Sequence, residues 1–219
     1  MLSAMALRSP ASVLSGRLLG AVVAVMVVGV LIGSPLAFVL IDVARRRHWG
    51  CDAIFFDGRV DYVCPDGLGY VFPAVMVIGG AAAIAAGPTV WALTRGLDAA
   101  TCARCGKAVG STCGCILLAQ TAITVPVGAV EASYLGTSLI WVGLVAAAGG
   151  AAILGCYRLP AQYRRWVVPI THISAAATLG ASSLKPGIFL LGPPLLVIAA
   201  ALTVAVALHR TLPAPSAVR

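Results

Sequence analysis

Two cysteines stand where a disulfide would form. They end the segment Cys51-Asp-Ala-Ile-Phe-Phe-Asp57-Gly58-Arg-Val-Asp-Tyr-Val-Cys64. Asp-Gly between two β-prone runs signals a hairpin, because a type I′ turn needs positive φ at both central residues. With Asp57-Gly58 at the tip, Phe56 faces Arg59, Phe55 faces Val60 and, counting outward, Cys51 faces Cys64. Opposed pairs alternate from a hydrogen-bonded one beside the turn. The cysteines therefore fall on a non-hydrogen-bonded pair, where Cα atoms approach to about 4.5 Å, inside the window a disulfide requires. Such a bridge persists outside the cytoplasm and, closing about 14 residues, contributes about 3 kcal/mol. The alternative is a pair of unpaired buried thiols.

A second thiol group reads Cys102-Ala-Arg-Cys105-Gly-Lys, then Cys113-Gly-Cys115. Its first half resembles one knuckle of a zinc ribbon, and four thiolates suffice for a closed tetrahedral Zn²⁺ site, making zinc the candidate cofactor. Arg104 and Lys107 would offset the charge of that complex. The second pair is spaced more tightly than a usual knuckle. Reduced spectator thiols and a redox-active C-x-x-C are the other readings. Cys156 reads as a small core residue.

Polar groups inside apolar runs are the third set. Glu131 and His172 are ionisable, and with Gln120 and Thr124 they could line a polar intramembrane path. Glu131 could instead pair with Lys185 as an interfacial tie, and His172 could serve as a hydrogen-bonding residue between helices. Broken helices line sites in transporters, and Pro193-Pro194 is the expected kink among the chain's span prolines. No phosphate-binding glycine loop, H-E-x-x-H or serine-nucleophile motif is present, so no enzymatic activity is expected.

The elements that hold these residues follow from composition. Hydrophobic residues make up 60% of the 219 and charged residues 10%, with a mean hydropathy of +1.01. A soluble domain carries roughly 25% charged residues, so bilayer is the expected solvent. The net charge of +8 sits at the ends of apolar runs, which suits membrane topology better than nucleic acid. An all-α integral membrane protein is expected: a bundle of about six transmembrane helices with a disulfide-closed β-hairpin in the first extracytoplasmic loop. The expected spans are 18–43, 70–94, 116–131, 136–157, 167–184 and 188–208. Hairpin 51–64 falls in the external loop 44–69, and the cysteine-rich stretch 95–115 reads as a cytoplasmic loop. The remaining cytoplasmic pieces are the tail 1–17, the loop 158–166 and the tail 209–219.

Basic residues set the orientation. Arg8, Arg17, Arg95, Arg104, Lys107, Arg158, Arg164, Arg165, Arg210 and Arg219 fall on one side; Arg45, Arg46, Arg47, Arg59 and Lys185 fall on the other. Both termini are therefore expected in the cytoplasm, with the chain in the plasma membrane. The first expectation for function is a non-enzymatic accessory or regulatory subunit, with other membrane subunits and lipid as partners. The alternatives are a small transporter for an apolar or weakly polar solute, and a membrane thiol or zinc sensor.

Overall fold

In the computed structural model the described residues are 10–48, 51–63, 71–131, 134–183 and 191–209. They form six helices and one hairpin: α1 (Pro10–Arg46), β1 (Asp52–Phe56), β2 (Arg59–Val63), α2 (Val71–Leu93), α3 (Ala99–Val130), α4 (Tyr134–Cys156), α5 (Ala161–Ser183) and α6 (Gly192–Leu208). The α1, α2, α3 and α4 helices each contain a stretch long and apolar enough to cross a bilayer; α6 is apolar but 17 residues long. The α5 helix, which carries Arg164, Arg165 and His172, does not meet that criterion.

The apolar α6 lies at the centre, with α2, α3 and α5 packed on it. The α3 and α4 helices run antiparallel, and α1 lies outside against α2. The main core joins Cys113 and Leu117 of α3, Val142, Ala146 and Ile153 of α4, Ala176 and Leu179 of α5, and Leu195, Ile198, Ala199 and Leu202 of α6. A helix apolar on every side is stable only where every side is covered, which explains α6's central place. Pro193 and Pro194 do not kink it. They sit in its first turn, where proline's missing N–H costs no helical bond.

The α1–α2 pair closes through small residues. A side chain at Gly33 would meet the Ile78 backbone at 2.6 Å, and one at Gly29 would meet Ala82 at 2.7 Å. Gly29-x3-Gly33 is thus consumed inside the fold. Arg17 then ties the ends together: its guanidinium donates to the carbonyls of Leu93 at 3.2 Å and Arg95 at 3.1 Å. These carbonyls lie at and just beyond the end of α2, where a helix leaves acceptors without partners and favours cations.

The hairpin keeps the expected register. Asp52 pairs with Val63, Ala53 with Tyr62, Ile54 with Asp61, Phe55 with Val60 and Phe56 with Arg59. Asp57 (φ 50) and Gly58 (φ 73) make the turn, as a type I′ connection demands. Cys51 is disulfide-bonded. Cys64 lies outside the described residues.

The largest departure is α3. The stretch 95–115 is not a loop: after a turn at Gly96 (φ 80), residues 99–115 are the first half of one 32-residue helix. Asp98 starts it, accepting from the Thr101 amide at 2.8 Å, the Thr101 hydroxyl at 2.7 Å and the Ala100 amide at 3.4 Å. The Thr101 hydroxyl and amide hold the Asp98 carboxyl below its usual value. The cap is therefore complete above about pH 4, the ordinary carboxylate value, and fades as pH falls through the lower folded-state value. Asp98→Ala is expected to reproduce this loss at neutral pH. Faster amide exchange at Ala100 and Thr101, with the core of α3 unchanged, is the readout; an unaltered first turn would refute the cap.

Candidate functional site

Three glycines one helical turn apart let α3 approach three different neighbours. Gly106 faces the Ala205 carbonyl and Leu208 of α6, Gly114 faces Leu154 and the Gly150 carbonyl of α4, and Gly110 faces the Tyr157 hydroxyl and His172 Nε2. Glycine costs a helix about 1 kcal/mol relative to alanine, and close packing at small residues offsets this.

Beneath Gly110 lies a buried polar junction. Tyr157 follows the last residue of α4, and His172, in the middle of α5, is 0% exposed. The tyrosine oxygen is 2.9 Å from His172 Nε2 and 3.5 Å from the Gly106 carbonyl; His172 Nδ1 is 2.8 Å from the Val168 carbonyl. A carbonyl only accepts, so Nδ1 carries the proton and Nε2 accepts from the tyrosine O–H. Both ring nitrogens of a neutral imidazole are then satisfied. The rings meet edge-on with centroids 5.5 Å apart. The neighbouring Cys156 thiol donates to the Ile153 carbonyl at 3.0 Å. This is the arrangement of a lock between α3, α4 and α5, without the nucleophile–base contact of an activated thiol.

The four thiols of α3 do not converge. Cys102 and Cys113 share a face but are 11 positions apart, about 16 Å at helical rise, whereas zinc needs each sulfur at about 2.3 Å. Cys102 and Cys113 are buried, Cys105 is half-buried, Cys115 is exposed, and all four are free thiols. Among the described residues no group of three or more His, Cys, Asp or Glu could hold a metal ion. A helix separates ligands that a loop could have gathered, so Cys102, Cys105, Cys113 and Cys115 do not converge on one ion as the expected zinc site requires.

The polar path fares similarly. Measured along α3 from Gly110, which marks the level of His172, Gln120 lies about 15 Å away, Thr124 about 21 Å and Glu131 about 31 Å. Glu131 is exposed at the far end, its N–H capping Val127, and Lys185 lies outside the described residues. The Thr124 hydroxyl donates to the Gln120 carbonyl at 3.0 Å, and Thr121 donates across to Gly143 of α4 at 3.0 Å. The Gln120 side-chain nitrogen is buried without a partner. Gln120 and Thr124 are neighbours; exposed Glu131 and fully buried His172 lie at levels about 31 Å apart along α3.

Tyr157 and Gly110 did not stand out as functional residues in the sequence. The signal for them was the Gly106-x3-Gly110-x3-Gly114 spacing, which marks a packing face of a helix. No family model, curated protein or solved structure matches the chain.

Proposed function

We propose that this chain is a multi-pass protein of the plasma membrane, serving as a non-enzymatic accessory or regulatory subunit of a larger membrane assembly. In this reading all six helices cross the bilayer, both termini are cytoplasmic, and Cys51 pairs with Cys64 on the outer side. The observation that carries the reading is the interior itself. The groups that could form a path are spread along α3, and the one buried histidine is sealed by Tyr157 and Val168. A closed bundle of this kind suits a packing role better than a transport path.

The peripheral position of α1 also supports the reading, since only 17% of its apolar window is buried. Purification from native membrane in mild detergent, followed by native mass spectrometry, is expected to yield a complex of defined stoichiometry. A clean monomer from that preparation would overturn the subunit role. Orientation has its own test in thiol labelling with an impermeant reagent. Cys51 is expected to react in intact cells only after reduction, and a cysteine introduced at exposed Arg158, in the turn after α4, not to react before lysis; the reverse pattern inverts the topology.

A further inference from the structure

The hairpin has two chemically different faces. Opposed residues of an antiparallel pair share a face, and faces alternate along each strand. Ala53, Phe55, Val60 and Tyr62 therefore occupy one side, and Asp52, Ile54, Arg59, Asp61 and Val63 the other. The first side is uncharged yet open, with Phe55 79%, Val60 46% and Tyr62 49% exposed. The second holds both of the strands' carboxylates.

Contacts at the base orient the ribbon. Tyr62 stacks on His48 with ring centroids 4.2 Å apart and planes 12° apart, and the Cys51 N–H donates to the His48 carbonyl at 3.2 Å. His48 lies two residues beyond α1. The uncharged face is thereby turned toward the end of that helix, where its exposed apolar stripe stops. That stripe runs from Leu19 through Val30 and Phe38 to Val43, about 36 Å at helical rise. A hydrocarbon core is about 30 Å thick, so the hairpin's base falls at headgroup depth. Aromatic side chains accumulate at that level. Arg45, Arg46 and Arg47 come directly after the stripe, with Arg46 held to Asp42 at 2.8 Å.

We infer that the Phe55–Val60–Tyr62 face of the hairpin beds into the phospholipid headgroup region beside α1, with Arg45–Arg47 against the phosphates and the Asp52–Asp61 face in water. The exposed apolar stripe of α1, which ends at the hairpin's base, supports lipid as the occupant, as does the complementarity of the arginines that follow it to phosphate. The inference rests on the membrane reading proposed above.

Photocrosslinking tests it in the full chain in native membrane. Benzoyl-phenylalanine is placed singly at Phe55, Asp61, Met26 or Ile84, all exposed positions, and adducts are read by mass spectrometry of the irradiated protein. Phospholipid adducts are expected at Phe55 and at Met26 or Ile84, with at least a tenfold lower yield at Asp61. Lipid adducts on the helices with a protein adduct, or none, at Phe55 would overturn the hairpin's docking and leave the membrane reading standing. Equal lipid yields at Phe55 and Asp61 would also overturn it. Failure to find lipid at both Met26 and Ile84 would remove the membrane reading itself, and the docking with it.

Discussion

Gly110→Ala is expected to destabilise the folded protein by about 3 kcal/mol, whereas Gly155→Ala should leave it unchanged or slightly more stable. The new methyl group at position 110 would occupy the space of the Tyr157 hydroxyl and His172 Nε2. Overpacking a tight core typically costs about 1–3 kcal/mol. Separating the pair leaves a buried nitrogen without its donor, at about another 1–3 kcal/mol. Alanine's better helix propensity returns about 1 kcal/mol, which leaves the net loss near 3. At Gly155 nothing lies within 4 Å of an added Cβ, so only the propensity gain remains. Unfolding midpoints in detergent provide the measurement.

The lock also predicts how mutations combine. Tyr157→Phe alone should cost about 1–2 kcal/mol through the lost hydrogen bond. In the Gly110→Ala background it should cost far less, because that bond is already broken; groups in direct contact are not additive. Strict additivity, or a Gly110→Ala protein as stable as the parent, would show that the tyrosine and histidine do not act as a unit.

The second large effect is expected from Cys51→Ser. Closing about 14 residues contributes about 3 kcal/mol in the chain-entropy account, and a two-stranded hairpin without such a staple is marginal in water. Asp52, Ile54, Asp61 and Val63, whose amides face the partner strand in the hydrogen-bonded pairs, should lose amide protection, and cleavage after Arg59 by trypsin should accelerate. The helices should keep their protection, since the hairpin contributes nothing to either buried cluster. If protection in the strands survives the substitution, the Asp57-Gly58 turn and the His48–Tyr62 stack hold the ribbon unaided.

The hairpin was legible to the register because its determinants are local. A turn requiring two positive φ values accepts few dipeptides, and the alternation of the strands follows from the turn. Helix existence was legible too, from apolar length. Helix extent was not. The stretch from Cys102 to Cys115 carries three glycines and two lysine or arginine side chains, which by propensity and hydropathy read as a loop. Asp98 followed three residues later by Thr101 was a start signal available in the sequence.

The cysteine spacing was the misleading feature. On a loop, the four thiols could converge on one ion; on a helix, rise and rotation spread them over about 20 Å and over more than one face. The intramembrane polar residues misled for the same reason. Gln120, Thr124, Glu131 and His172 share a chemical character, yet helix rise keeps His172 and Glu131 at different levels.

Local chemistry and composition thus determined the apolar helical class and the Asp57-Gly58 hairpin, because these depend on solvent preference and on a few adjacent dihedrals. Only the tertiary structure decided that residues 99–115 are helical, that Pro193-Pro194 begin a helix, and that Tyr157 reaches His172 under Gly110. Each of these depends on neighbours distant in the chain: α3 remains a helix through three glycines because α4, α5 and α6 close against its bare face.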